Sequence, residues 1–203
     1  MTARTMDDLV AEARERLAFR AAKEGLVDAT YGILDSPVGP LWVAVGPKGV
    51  SAIHFGREPS AWEMRRLVRL FGPGIVPDAR RTTPLERELD QYFAGRRRTF
   101  NVPVDLRGLT PFQERVLRRT SRIPYGELAT YKVLARAAGN EAASRAAGAA
   151  VGSNPIPIVV PCHRVVASDG TLGGYGGGLD TKRRLLALER GDVPPGGWLT
   201  RGA

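Results

Sequence analysis

The sequence predicts an α/β part of about a hundred residues followed by a helical part built around a helix-turn-helix. Three patterns predict it. Short apolar runs of strand character lie between residues 31 and 55, and two stretches of helical period follow before residue 94. After Leu106 the helical period dominates, and two of its segments are separated only by Gly139-Asn140.

The elements follow in chain order. Met6 to Gly25 reads as an amphipathic helix, with Leu9, Ala13, Leu17 and Ala21 on one face and Gly25 as its stop. Tyr31–Leu34, Leu41–Val45 and Val50–Phe55 read as strands of a small antiparallel sheet, the last two joined across Gly46-Pro47-Lys48-Gly49. Helices are expected over Ala61–Phe71 and around Leu85, Leu89, Tyr92 and Phe93, with an extended segment at Thr99–Val104. Beyond Leu106 the expected helices are Pro111–Ser121, Glu127–Ala138 and Glu141–Val151. The run Ile156-Pro157-Ile158-Val159-Val160 reads as an apolar strand leading into Pro161-Cys162-His163-Arg164. A glycine-dense loop, Gly173 to Gly178, precedes a final helix over Asp180–Arg190, capped by Asp180, and the tail from Pro194 to Ala203 is expected to be loose. The expected boundaries are an N-terminal extension over 1–29, the α/β part over 30–105 and the helical part over 106–203.

Composition narrows the function. The chain has 203 residues, 43% of them hydrophobic, enough for a packed core. Its one cysteine excludes an intramolecular disulfide, and its two histidines, His54 and His163, leave too few soft ligands for a zinc site. Neither metal nor cofactor is expected. No apolar stretch approaches the roughly 20 residues of a membrane helix, and Asp7 and Asp8 stand where a signal peptide would carry basic residues. These features suit a cytoplasmic protein in a reducing compartment. Thirty basic against twenty-one acidic side chains give a net charge of +9, clustered at Arg65-Arg66, Arg80-Arg81, Arg96-Arg97-Arg98, Arg118-Arg119 and Lys182-Arg183-Arg184. Such clusters are either solvated surface or a footprint for a polyanion.

Chemistry points to Cys162. A free thiol has a pKa of about 8.5, so a nucleophilic role needs a base or a positive environment. His163 is adjacent, yet on a strand neighbouring side chains face opposite ways, and contact would need a bend or a bridging water. The competing reading is a small buried hydrophobe. Glu189 falls on the apolar stripe of the last helix, in its final turn, where the helix dipole disfavours a carboxylate. It is either a partner for His163 in a Cys–water–His–Glu relay or an exposed residue at a frayed end. The helix around Ala142 to Ala150 is made of tiny side chains except for Arg145, so it can either pack tightly inside the fold or approach a narrow groove without reading bases. Glycines at 173 to 178 let backbone amides come close to a ligand, and Tyr175 can stack on a flat one or cover the edge of the core.

Together these residues closely resemble the O6-alkylguanine-DNA alkyltransferases, the methylated-DNA–protein-cysteine methyltransferases. The resemblance runs from about Tyr31 to Glu189 through Ser36-Pro37-Val38-Gly39-Pro40-Leu41, Phe112-Gln113, Ile123-Pro124-Tyr125-Gly126-Glu127, Arg145-Ala146-Ala147-Gly148, Asn154-Pro155 and Pro161-Cys162-His163-Arg164-Val165-Val166. It implies a ribonuclease H-like α/β domain and a C-terminal domain with a winged helix-turn-helix. The implied partner is double-stranded DNA containing O6-alkylguanine, bound through the minor groove with little sequence preference by a protein that is a monomer in solution, its cooperativity on DNA left open.

The resemblance also implies the roles. Cys162 accepts the alkyl group, His163 acts as base through a water, Glu189 holds His163 and Asn154 braces the turn carrying the cysteine. Arg145 fills the gap left by the extruded nucleotide, with Ala142, Ala146 and Gly148 against the DNA. Tyr131 pushes the 3′ phosphate and donates to the guanine, Val165 reads the base through its backbone, and Tyr175 and Gly176 close over it. Flipping costs a few kcal/mol, which a single long side chain on a slim helix helps to offset. Three positions depart from the family pattern: Leu117 for a frequent tryptophan, Gly176 for a frequent serine and Glu141 for a frequent proline. Two other functions compete, a non-catalytic lesion sensor, whose known relatives lack the thiol, and a Cys–His hydrolase, which would turn over.

Overall fold

The computed structural model describes residues 27–192 together with positions 13, 16, 20, 21 and 24. The helix expected over 6–25 and the tail from 194 lie outside the continuously described stretch.

A four-stranded sheet opens the described chain: β1 (Ala29–Leu34), β2 (Leu41–Gly46), β3 (Gly49–Phe55) and β4 (Ile75–Pro77), in the spatial order β3-β2-β1-β4. The sheet is mixed, not purely antiparallel. β1, β2 and β3 pair as a meander, whereas β4 lies parallel to β1, and its short span gave no period to read. The β2–β3 turn depends on Gly49, whose φ of 120° is open to glycine and where a Cβ would lie 2.1 Å from the Pro103 carbonyl oxygen.

Helix α1 (Ala61–Phe71) starts at a capping box in which the Ser60 hydroxyl accepts from the Glu63 amide and the Glu63 carboxylate accepts from the Ser60 amide. It buries Arg66, which donates to the carbonyls of Ser51 at 2.9 Å and Arg107 at 2.6 Å and so ties α1 to the sheet and to the 105–107 segment. Helix α2 (Ala79–Phe93) buries Leu85, Leu89, Tyr92 and Phe93. The expected extended stretch at Thr99–Val104 forms only an isolated bridge, Val50 with Val104.

The helical part comprises α3 (Pro111–Thr120), α4 (Tyr131–Ala137), α5 (Ser144–Gly152) and α6 (Gly178–Arg190), with β5 (Ala129–Thr130) pairing parallel to β6 (Val165–Val166). α3 starts at Pro111 as expected, and the other three start later or earlier than the sequence predicts, each for a local reason. α4 begins at Tyr131 because Ala129 and Thr130 are taken up by pairing and the Thr130 hydroxyl caps the Val133 amide. α5 begins at Ser144, so Glu141 and Ala142 sit in the preceding turn, where Glu141 lies 3.9 Å from Lys132. α6 begins at Gly178, which places Asp180 in the first turn and not at the cap.

One apolar core runs through both parts. Leu41, Val43, Ile53, Leu89 and Tyr92 pack with Leu117, Ile156, Ile158, Val160, Leu185 and Leu188. Burying such side chains contributes about 1.5–3 kcal/mol each, so the two parts are stabilised jointly. Backbone and side-chain bonds reinforce the seam: Ile53 N–H to the Pro155 carbonyl at 2.8 Å, and Arg184 to the Pro37 carbonyl at 3.0 Å. Among the described residues no helix is long and apolar enough to cross a membrane.

Candidate active site

The stretch carrying the cysteine is a braced turn, not the strand that its β-branched residues suggest. Pro155, Pro157 and Pro161 have no N–H to offer a sheet. Asn154 replaces that ladder from one end: its Nδ2 donates to the Val160 carbonyl at 2.9 Å and its Oδ1 accepts from the Ile156 amide at 3.1 Å. Between these bonds Ile158 is held at φ 73°, a left-handed conformation that a β-branched residue adopts only under constraint and at a cost of about 1–3 kcal/mol. Complete burial of Ile156 and Ile158 in the shared core supplies that constraint.

Cys162, His163 and Arg164 then form a single 3₁₀ turn, so the cysteine and histidine are not on opposite faces of a strand. The His163 imidazole is wholly buried, and its Nε2 lies 2.8 Å from Glu189 Oε1. The same oxygen accepts from Tyr92 Oη at 2.7 Å and Arg164 Nη2 at 2.8 Å, while Oε2 accepts from Arg164 Nε at 2.8 Å and the Gly126 amide at 3.1 Å. Burial by itself would raise the Glu189 pKa; the bonds from His163 and Arg164 outweigh it and hold it at about 2. An ionised carboxylate can only accept, so the histidine proton sits on Nε2. Nδ1 is left with its lone pair, buried and without a protein partner. Burial keeps His163 neutral by lowering its pKa, against the pull of Glu189.

Cys162 is buried too, which pushes its thiol up to about 11 against the opposing influence of the Asn154 side chain and the Lys182 charge. Lys182 is fully buried and donates to the Val165 carbonyl at 2.6 Å and to the Leu172 carbonyl. It thereby joins β6 to the start of the glycine loop.

Around the thiol lies a cavity of about 310 Å³ whose walls include Tyr131, Gly148, Asn154, Cys162, Tyr175 and Gly176. Burial raises the Tyr131 phenol above its ordinary value, with the nearby Cys162 adding to the effect, so it remains a donor. Its hydroxyl rests over Gly173: a Cβ there would come within 2.5 Å of it, at a φ of 64°. Tyr175 packs edge-on against Phe55 and His163, with ring centroids 5.5 and 6.3 Å away. The ring covers the edge of the core and also lines the cavity. Above this cavity α5 buries Ala147, Ala150 and Val151 and turns Arg145 and Ala146 to solvent. Among the described residues no group of His, Cys, Asp and Glu could hold a metal ion.

Comparison with known proteins decides the family. Residues 29–106 match the 6-O-methylguanine DNA methyltransferase ribonuclease-like domain, and residues 111–191 match the DNA binding domain of the same family. The chain belongs to the 6-O-methylguanine DNA methyltransferases. A methylated-DNA–protein-cysteine methyltransferase of Mycolicibacterium paratuberculosis is 42% identical over 167 residues, which cover 81% of this chain and 94% of that protein. One from Methanosarcina acetivorans is 39% identical, over 78% of this chain and 97% of its own length. Among solved structures, Mycobacterium tuberculosis OGT in complex with DNA superposes with a TM-score of 0.72 at 38% identity, covering 85% of this chain and 99% of that one.

Within this family member the structure gathers Cys162, Asn154, Tyr131, Gly148, Tyr175 and Gly176 about one cavity, while His163, next to Cys162 in the same turn, is bonded to Glu189. Val165 is buried next to them, and Arg145 and Ala146 stand outside on the exposed face. Ala142 lies on the turn before α5 and not on the helix. Sequence reasoning missed Tyr92, Arg164 and Lys182. Arg164 and Lys182 carried a signal, a cation inside an apolar context, that counting surface charge conceals.

Proposed function

We propose that this DNA-repair methyltransferase removes the alkyl group from O6-alkylguanine, O6-methylguanine above all, and fixes it on Cys162 Sγ once. The carrying observation is the 310 Å³ cavity in which Cys162, Tyr131 and Tyr175 meet, walled on one side by Gly148 and Val151 of α5, the helix that carries the exposed Arg145. A lesion in duplex DNA keeps its O6 substituent inside the stack, so the base must be extruded at a cost of a few kcal/mol. α5 can lie in a narrow groove because its outer side chains are small, and Arg145 fills the hole.

In the cavity the thiol proton passes through a water to His163 Nδ1, the lone pair that the Nε2–Glu189 bond leaves free. Sulfur then attacks the alkyl carbon in line with O6; the S–C bond forms, the C–O6 bond breaks, and the electron pair moves into the purine. A hydrogen bond from the Tyr131 hydroxyl offsets the charge that develops there. Backbone groups at Cys162 and Val165 hold the base, with Tyr175 and Gly176 closing over it. The thioether has no base-assisted return path, so the protein is consumed. Binding should be that of a monomer on the minor groove, carried by the +9 charge with little dependence on sequence.

Incubation with excess duplex bearing O6-methylguanine should add one methyl to the peptide containing Cys162, with one lesion repaired per molecule and none by Cys162→Ser. An unmodified Cys162, or repeated turnover, would overturn the reading.

A further inference from the structure

We infer that Tyr92 is a positioning residue of the alkyl-transfer site, so that the N-terminal α/β part contributes to the chemistry as well as to the fold. The inference rests on the reading of His163 as base. Tyr92 lies in α2, 71 residues before His163, yet its hydroxyl reaches across the seam between the two parts to Glu189 Oε1 at 2.7 Å and stands 3.5 Å from His163 Nε2. The side chain is fully buried, and Phe93, Phe100 and Tyr125 pack on its ring with centroids 5.4, 5.3 and 6.1 Å away. Ring packing would be satisfied by phenylalanine. The hydroxyl therefore needs its own account.

That account is charge sharing on one oxygen. Glu189 Oε1 receives three donors: Tyr92, His163 and Arg164. Tyr92 stays protonated because burial and the neighbouring carboxylate both hold its pKa well above the ordinary range, so its part is fixed as donor. A carboxylate oxygen that already accepts from a phenol attracts the imidazole N–H less strongly. Tyr92 therefore weakens the pull that would turn His163 into an imidazolium, and it pins Oε1 where Nε2 must keep its proton. Both effects keep Nδ1 free to take the thiol proton at neutral pH.

The other charged and titratable groups facing this pair come from every neighbouring element. They are Arg164 on the 3₁₀ turn, Tyr125 before β5 with Arg98 over its ring at 5.6 Å, Lys182 on α6, Tyr175 in the glycine loop, and Cys162 itself. Among the described residues, only Tyr92 both comes from the α/β part and bonds Glu189 directly.

The test is Tyr92→Phe, which keeps the ring and removes the oxygen. With one donor gone, the His163 pKa rises, so the acid limb of the rate against an O6-methylguanine duplex should move up by about half to one pH unit, and the rate at a pH below the wild-type acid limb should fall by about three- to tenfold. The chain has only two histidines, so ¹⁵N shifts of the His163 ring give the same pKa without reference to activity. A purely structural tyrosine would lower stability and leave both readouts in place; superimposable pH profiles and ¹⁵N titrations for Tyr92→Phe and wild type overturn the inference. In a Glu189→Gln background, Tyr92→Phe should add nothing further, and an undiminished shift there also overturns it. Failure of the underlying reading looks different: His163→Gln would transfer methyl at the wild-type rate.

Discussion

Replacing Glu189 with glutamine removes one negative charge at the point where five donors converge, and the cost can be worked from the geometry. Folding holds this carboxyl at about 2 in place of 4.5, because the gains from His163 and Arg164 exceed the penalty of burial. At about 1.4 kcal/mol per pH unit that difference is worth about 3 kcal/mol at neutral pH. Glutamine has one accepting oxygen and turns N–H groups toward donors on the other side, leaving the buried Arg164 guanidinium without its counter-charge, for which losses of about 3–5 kcal/mol are usual. Glu189→Gln should therefore lose about 3 kcal/mol in urea unfolding at pH 7 and about 6–12 °C in Tm for a chain of this size. The pH dependence sharpens the test. A carboxyl with a depressed folded pKa stabilises above 4.5, and that contribution is lost as pH falls toward 2, because the unfolded chain takes the proton first. His163, buried neutral, adds a separate loss that begins as pH drops below 6.5. Wild type should lose stability through both windows, and Glu189→Gln should lose much less through the lower one, keeping there only what carboxyls such as Asp78 and Asp105, also held low, contribute. A variant within 1 kcal/mol of wild type at pH 7 that still shows the full loss between pH 4.5 and 2 would refute this account of the site.

Two further perturbations separate binding from chemistry. Arg145→Ala removes an exposed side chain and should change stability by less than about 0.5 kcal/mol, while repair of duplex lesions falls by about ten- to a hundredfold in single-turnover assays and repair of a single-stranded lesion, with no stack to fill, falls less. Gly173→Ala places a Cβ 2.5 Å from the Tyr131 hydroxyl, so methyl transfer should drop by tenfold or more, whereas Gly170→Ala, with a φ of 83° and open space around its Cβ, should share the backbone penalty and keep the rate.

The readable parts of this chain were those in which function depends on local sequence. Cys162, its flanking residues and the Ala-rich run with Arg145 occupy contiguous stretches, and the residue types there are unusual for their surroundings. Glu189 was readable as an anomaly, a carboxylate on an apolar stripe, though spacing alone left it open whether it met His163. Tyr92 gave no such sign: with Leu85, Leu89 and Phe93 it completes a helical apolar face, and periodicity reports that a side chain is buried, not what its far end touches 97 residues on. The misread strand has a different cause. Ile156 to Val160 has the β-branched composition of a buried strand, but Pro155, Pro157 and Pro161 remove the donors a ladder requires, and Asn154 takes over their work. The prolines were the available signal.

Burial of the thiol, which disfavours the nucleophilic thiolate, fits an acceptor that can act only once. A thiol held at about 11 is almost wholly protonated at neutral pH, and in that state it resists the stray electrophiles and oxidants that react with thiolates. An enzyme that turns over can tolerate an occasional wasted encounter; a protein spent by its first reaction cannot. Activation must then come from the lesion complex itself. His163 is already neutral, with its proton fixed on Nε2 by Glu189 and its Nδ1 open, so in the proposed reaction it could take the thiol proton before any base pair is disrupted. In that reaction the missing component is an alkyl carbon placed in line with sulfur, with a hydrogen bond from Tyr131 to offset the charge left on the base. Selectivity then rests on geometry in the cavity more than on standing reactivity of the cysteine. On that logic, a surrounding that lowered the thiol pKa would speed reaction with simple electrophiles more than it speeds repair.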